Sequence, residues 1–360
     1  MTDARLNKRQ QARIEANRAE RLATWLQQRG AAHGADDGPG EPAVVVSHLR
    51  RQIEVEPVHG ASEDDRDAGS EGHAQPTVRC FLRATVDPVV SGDRVVFERD
   101  PEDPTRGVIT ARLPRLSLLS RHTPKGLRPV CANLDLLLIT VAAEPAPHPD
   151  LIDRYLVAAR LDELEAVLVL NKCDLDAHGE VDRLLAPYAD LGVEHIACSA
   201  AAGLGIDALR ARLAGRSAAF VGQSGVGKSS LINALVPGAA AQTGELSDRR
   251  NRGRARGRHT TSATRLYRCG GAIIIDSPGI REFAADIPDA AALVRGFPEI
   301  EAAAQRCRFR DCRHDNEPDC AVLESIARGT IAATRAASFR LLRAEIETRS
   351  AGRPGNPGRS

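Results

Sequence analysis

Apolar positions change their spacing twice along the chain. Between residues 43 and 113 they fall in short β-rich runs at 43–46, 53–58, 78–82, 94–98 and 107–113, with turn signals such as Ser91-Gly92-Asp93 between them. Five strands so closely spaced predict a small barrel of the OB type, a common nucleic-acid platform. From residue 134 the pattern becomes α/β. Apolar strand runs at 134–141, 166–170, 195–198, 218–221, 264–269 and 272–276 alternate with helical runs such as 206–213 and 229–235. The last two strands, joined at Gly270-Gly271, read as the one antiparallel hairpin of an otherwise parallel sheet. After Asp286 the pattern is helical to about Arg349, and residues 350–360 form a polar tail expected to be disordered. Ahead of the barrel, residues 5–28 lack Gly and Pro and predict a basic helix, followed by a flexible linker through Pro42. These signals divide the chain at 1–42, 43–120, 121–285, 286–349 and 350–360.

Composition adds little to that division, but the distribution of charge adds more. The 360 residues carry 49 Lys and Arg against 48 Asp and Glu, a net +1. Arg5, Lys8, Arg9, Arg13, Arg18, Arg21 and Arg29 face only Asp3, Glu15 and Glu20 at one end, whereas the loop at 59–76 that interrupts the barrel is acidic. The basic end suggests a polyanionic partner. No apolar run is long enough to cross a membrane, and the first residues are charged where a signal peptide is apolar, so a cytoplasmic protein is expected, and a monomer is taken as the default state. In a reducing compartment Cys80, Cys131, Cys173, Cys198 and Cys269, each beside apolar residues, read as buried thiols.

Two motifs define the candidate chemistry, and their order is unusual. Asn171-Lys172-Cys173-Asp174 precedes Gly222-Gln223-Ser224-Gly225-Val226-Gly227-Lys228-Ser229. The second run follows a strand and opens a helix, the setting of a phosphate-cradling P-loop. Its glycines let backbone N–H groups turn toward phosphate oxygens, Lys228 reaches the β and γ phosphates, and Ser229 binds Mg²⁺, with Ser230 behind it. The first run reads guanine. A carboxylate at Asp174 accepts from both the ring N–H and the exocyclic amine, adenine offers no such donor pair, and an acceptor left unpaired costs about 1–3 kcal/mol. Lys172 can lie over the base, and the backbone of Ser199 and Ala200 can cap its oxygen. Asp276, ending a strand in Asp276-Ser277-Pro278-Gly279, suits Mg²⁺, and the Gly279 amide suits the γ-phosphate. Reading base before phosphate is the reverse of the ordinary GTPase order and implies a circular permutation. It is feasible because the helix at 206–213 runs back to the edge where the strand at 218–221 begins.

Ile280 stands where many GTPases carry a water-orienting Gln. His259, in Arg258-His259-Thr260-Thr261, is the nearest group able to position water, and Thr260 or Thr261 is the expected switch ligand of Mg²⁺. A structural or RNA-facing role for His259 stays open, as does action in cis by one of the arginines at 249, 250, 252, 254, 256 and 258. Further on, Cys307, Cys312, His314 and Cys320 supply three thiolates and one imidazole within a short stretch. That is the donor set of a closed, structural Zn²⁺ site, one ion per chain.

With these motifs the chain resembles the ribosome small-subunit-dependent GTPase A family (RsgA, also called YjeQ). Ala132-Asn133-Leu134-Asp135, Ile152-Asp153-Arg154-Tyr155-Leu156 and the extended run from Asp276 to Phe283 carry the resemblance beyond the nucleotide motifs. It implies three bodies: an OB-type barrel, a permuted α/β P-loop GTPase domain and a C-terminal helical zinc-binding domain. It also implies a bacterial cytosolic factor that binds the small ribosomal subunit and its rRNA late in maturation and hydrolyses GTP to GDP when docked there. The alternatives from the residues themselves are a passive RNA-binding scaffold with a weak nucleotide site, or a stand-alone P-loop NTPase.

Overall fold

In the computed structural model of the chain, residues 40–49, 52–58, 77–123, 126–176, 178–236, 239, 265–276 and 287–351 are described. The basic helix, the acidic loop, the arginine run with His259, Thr260 and Thr261, Gly279, and the polar tail beyond Ala351 lie outside them.

The first five strands, β1 (Glu41–Leu49), β2 (Gln52–Pro57), β3 (Val78–Leu82), β4 (Arg94–Arg99) and β5 (Arg106–Arg112), close into a barrel in the order β1-β2-β3-β5-β4. All neighbours are antiparallel except β3 and β5, and β1 returns to β4 to leave no open edge. Inward residues Val45, Val55, Cys80, Val95, Phe97 and Ile109 are fully buried, as strict alternation requires. The linker ends before Pro42: Glu41 and Pro42 already pair with Phe97 and Val96. Glu41 also receives Arg99 Nε at 2.7 Å, and proline is tolerated at a strand start.

A hairpin of β6 (Leu118–Thr123) and β7 (Gly126–Ala132) follows, straddling the division drawn at residue 120. It delivers the chain to Asn133, whose φ of 58° turns it toward the second domain. The buried Asn133 side chain donates to Gly92 O and accepts from Leu116 N, each at 2.8 Å. Gly92 has φ 85°, and a Cβ there would lie 2.1 Å from Ala132 O, so the barrel turn and the junction meet backbone to backbone. Asp135 Oδ2 accepts from the Ser217 N–H at 2.9 Å and so carries the joint into the sheet.

That sheet runs β10-β9-β8-β11-β13-β12, with β8 (Leu136–Ala142), β9 (Glu165–Asn171), β10 (Glu194–Ala197), β11 (Ser217–Val221) and β13 (Ala272–Asp276) parallel. Strand β12 (Arg265–Cys269) is antiparallel to β13. Every residue of β8 is buried, because helices cover both faces. Leu137, Ile139 and Val141 enter one core with α1 (Pro149–Leu161) and α2 (Glu180–Asp190). Leu136 and Leu138 enter the other, with α3 (Ile206–Leu213) and α4 (Lys228–Leu235). Residues 214–216 connect α3 to β11, the short join that permutation requires. Four of the five isolated cysteines are buried, and burial pushes the Cys80 and Cys198 thiols up to about 12. Cys173 is only half-buried, because it follows the strand rather than lying in it.

The C-terminal body consists of α5 (Ala290–Gly296), α6 (Pro298–Ala304), the Cys/His loop, α7 (Ala321–Ala327) and α8 (Ala333–Ala351). It packs on the outer side of α1, where Val157 joins its core and a Cβ at Gly296 would meet Val157 Cγ1 at 2.5 Å.

Asp162 caps the end of α1 from a half-buried position, and burial raises its carboxyl to about 6. A carboxyl raised in the folded state costs nothing below its unfolded value near 3.8 and destabilises increasingly as pH rises through about 6. Asp162→Asn should therefore stabilise the fold by about 1–2 kcal/mol at pH 7.5, a figure discounted for partial exposure. Chemical denaturation across pH checks this, since the gain should vanish below about pH 4.

Candidate nucleotide site and metal cluster

The carboxyl ends of the parallel strands β9, β11 and β13 carry Asn171, the phosphate loop and Asp276 to one edge of the sheet. Asn171, 1% exposed, ends β9, and its carboxamide faces the phosphate loop rather than open space. Nδ2 donates to Val226 O at 2.8 Å, and Oδ1 accepts from Ala200 N at 3.1 Å. Gly227 leaves room for that amide: a Cβ would lie 2.2 Å from Asn171 Nδ2, at a φ of 94°. One side chain thus fixes the distance between base reader, phosphate loop and the 199–204 loop. The last is closed by paired backbone bonds between Ser199 and Leu204 at 2.9 and 3.1 Å, with Ser199 Oγ accepting from Ala202 N.

Lys172 takes up φ 59°, which turns the chain into a 3₁₀ turn at Cys173–Leu175. Its Nζ donates to Glu144 O at 2.7 Å, holding the loop after β8 beside the phosphate loop, with Pro145 next to Gly225. Asp174 is exposed, the state an acceptor for a base edge needs. Gly222, Gly225 and Gly227 all have positive φ, and α4 begins at Lys228. The Lys228 ammonium is buried and donates to Gly222 O and Gln223 O, each at 2.7 Å, from where a phosphate oxygen could take it over. Ser224, Ser229 and Ser230 are exposed, and Asp276 closes β13, two strands from β8. Sequence reasoning missed the Glu144 carbonyl, since a backbone acceptor carries no residue signal.

The second cluster is Cys307, Cys312, His314 and Cys320, whose donor atoms all lie within 4.8 Å of one another. Bonds of about 2.3 Å to sulfur and 2.0–2.1 Å to nitrogen in a tetrahedron demand S···S near 3.8 Å and S···N near 3.6 Å. Cys307 and Cys320 Sγ are 3.9 Å apart, and His314 Nδ1 is 3.6 and 3.5 Å from them. The residues therefore fit a four-coordinate ion. His314, at φ 63°, is buried against Phe339, and burial lowers its pKa, favouring the neutral ligand form. Glu317 ties the loop by accepting from Arg313, Asp315 and Asn316 N–H groups, which hold its carboxyl down to about 2.

A parallel sheet with its base-reading strand ahead of its phosphate-loop strand is the architecture of a circularly permuted P-loop GTPase. The comparisons agree. The model of the RsgA GTPase family matches residues 112–286, and the chain belongs to that family. It is 42% identical to the small ribosomal subunit biogenesis GTPase RsgA of Azotobacter vinelandii, over 96% of this chain and 98% of that one. The crystal structure of YjeQ from Thermotoga maritima matches with TM-score 0.64 at 28% identity, covering 88% of this chain and 100% of that one. YloQ, described as a circularly permuted GTPase, matches in fold with TM-score 0.62 at 22% identity over 89% of this chain and 99% of its own.

A metal held by all four donors should be lost with Cys312→Ala. Unfolding of the C-terminal helices, followed by calorimetry, should become easier by at least about 3 kcal/mol, since structural metals contribute on the order of 10 kcal/mol in small domains. Elemental analysis finding less than about half an equivalent of metal in the wild type would count against four-fold ligation.

Proposed function

We propose that this chain hydrolyses GTP to GDP when bound to the small ribosomal subunit and acts in late maturation of that subunit, in the cytoplasm and as a monomer. The observation that supports it most is the Asn171 carboxamide joining the phosphate loop to the 199–204 loop beside Asp174. In this reading Asp174 accepts from the guanine edge, Lys172 and Cys173 line the base, and Ser199 and Ala200 border its oxygen. The amides from Gly222 through Gly227 cradle the phosphates with Lys228, Ser229 and Ser230. Mg²⁺ is held by Ser229 with Asp276 and Thr260 or Thr261, and Gly279 meets the γ-phosphate. Zn²⁺ closes the four-donor cluster, and the barrel and the Arg-bearing metal loop face rRNA. The proposed bodies are the barrel, the permuted sheet with its helices and the metal-bearing helical domain.

Asp174→Asn should weaken GTP and admit xanthosine triphosphate, because the amide donates where the carboxylate accepted. Competition binding reads this, and equal competition by ATP in the wild type would end the guanine reading. Turnover with and without purified small subunits separates a GTPase from a passive scaffold, which should show no stimulation.

His259 is proposed to position the attacking water, Ile280 being unable to do so. His259→Ala should then lower subunit-stimulated kcat by about 10²–10³ with nucleotide affinity nearly unchanged. Full turnover in that variant would remove His259 from the chemistry.

A further inference from the structure

The loop after β8 lies against the phosphate loop, although none of its residues belongs to a nucleotide motif. Residues 143–148 leave the fully buried β8 and enter α1 at Pro149. A Cβ placed on Gly225 would meet Pro145 Cδ at 3.6 Å, an ordinary van der Waals contact. Further along, Pro147 and His148 share a narrow cleft with Gly222, Gln223 and Val226. The segment thus borders the phosphate loop from Gly222 to Val226.

Both ends of this segment are anchored. At one end is the sheet; at the other, the His148 carbonyl accepts from Leu151 N at 3.1 Å and Ile152 N at 3.2 Å, opening the first turn of α1. That helix is itself held to α8 by a buried pair, Asp153 accepting from Arg335 Nη1 at 2.5 Å.

The middle of the segment is held by Lys172, whose Nζ donates to Glu144 O at 2.7 Å. Its stem passes beside Gly227, with Cε 4.0 Å from where a Cβ there would sit. One side chain therefore reaches from the base-reading motif, past the phosphate loop, to residues 143–148. An ammonium has three donors, so the bond to Glu144 O leaves two for a ligand and need not break when one binds. A base laid over the stem would keep water from that bond and strengthen it. Pro145 fixes its own φ, so the neighbouring Glu144 carbonyl is offered from a stiff segment that loses little freedom in meeting Lys172.

We propose that Pro145 is a positioning residue of the nucleotide site, and that the clasp it forms with the Lys172–Glu144 bond sets how slowly a bound guanine nucleotide leaves. The inference rests on the GTP-binding reading above and adds to it a segment from outside the nucleotide motifs.

Stopped-flow release of fluorescent GDP and GTP from wild type, Pro145→Gly, Pro145→Ala, Lys172→Ala and the Pro145→Gly/Lys172→Ala double variant tests it. Pro145→Gly should speed release about 3–10-fold, because a freed backbone must then be ordered each time the clasp forms. Pro145→Ala should speed it less. Association should change by less than about threefold, since variants of one site differ mostly in dissociation. In Pro145→Gly, KM for GTP should rise while kcat stays within about twofold, the pattern of lost uniform binding. Lys172→Ala should speed release further, as it also loses the base, and the double variant should fall short of the product of the two single effects, because both break one clasp. Unchanged release in Pro145→Gly, or single effects that multiply in full, overturns the proposal. Should Pro145→Gly fail to fold, Pro145→Ala carries the same test. Competition by ATP in the wild type is read in the same runs, so failure of the guanine reading shows separately.

Discussion

The candidate nucleotide site is organised around one carboxamide. Asn171 donates to the phosphate loop and accepts from the loop after β10, so two segments far apart in sequence keep a fixed spacing. A buried amide with both ends satisfied stabilises by only about 1 kcal/mol per bond, yet leaving either end unpaired costs more. Its contribution is therefore geometric. It also explains why connectivity can be rotated without loss of the pocket. Contacts at the carboxyl ends of parallel strands do not depend on which strand comes first, provided β9 and β11 flank β8.

The accessory domains grip the sheet at places that bear on the nucleotide. The barrel reaches the outer strand through Arg268, whose Nε donates at 2.6 Å to the buried Glu56 of β2, and that strand pairs with β13, which ends at Asp276. The helical domain holds α1, which borders the phosphate loop. One contact reaches the edge strand beside β13 and the other reaches the helix beside the phosphate loop.

Much of this was legible in the chain itself. The barrel strands and sheet strands were visible from alternation and apolar runs, and the Cys/His spacing identified the donors that the fold brings within 4.8 Å. The β6–β7 hairpin was not, because Arg121, His122, Thr123 and Pro129 break the alternation that signals a strand. The pairing of Asp153 with Arg335 was equally invisible: charged residues on helices ordinarily read as solvent-facing, and only tertiary contact shows that these two neutralise each other in the interior. Asn171 was recognised as part of the base-reading motif, but its bond to Val226 O links positions 55 apart, beyond any local pattern.

The permuted sheet also has two ends to protect. At one, β10 is only four residues long, and Arg212 on α3 pairs with its Glu194 at 2.7 Å. At the other, β12 lies against the barrel, fastened by Arg268. Neither border offers a long bare ladder of amides and carbonyls to a passing strand: β10 is too short and carries charge, and the docking that joins the barrel to β12 also shields that strand from edge-to-edge aggregation.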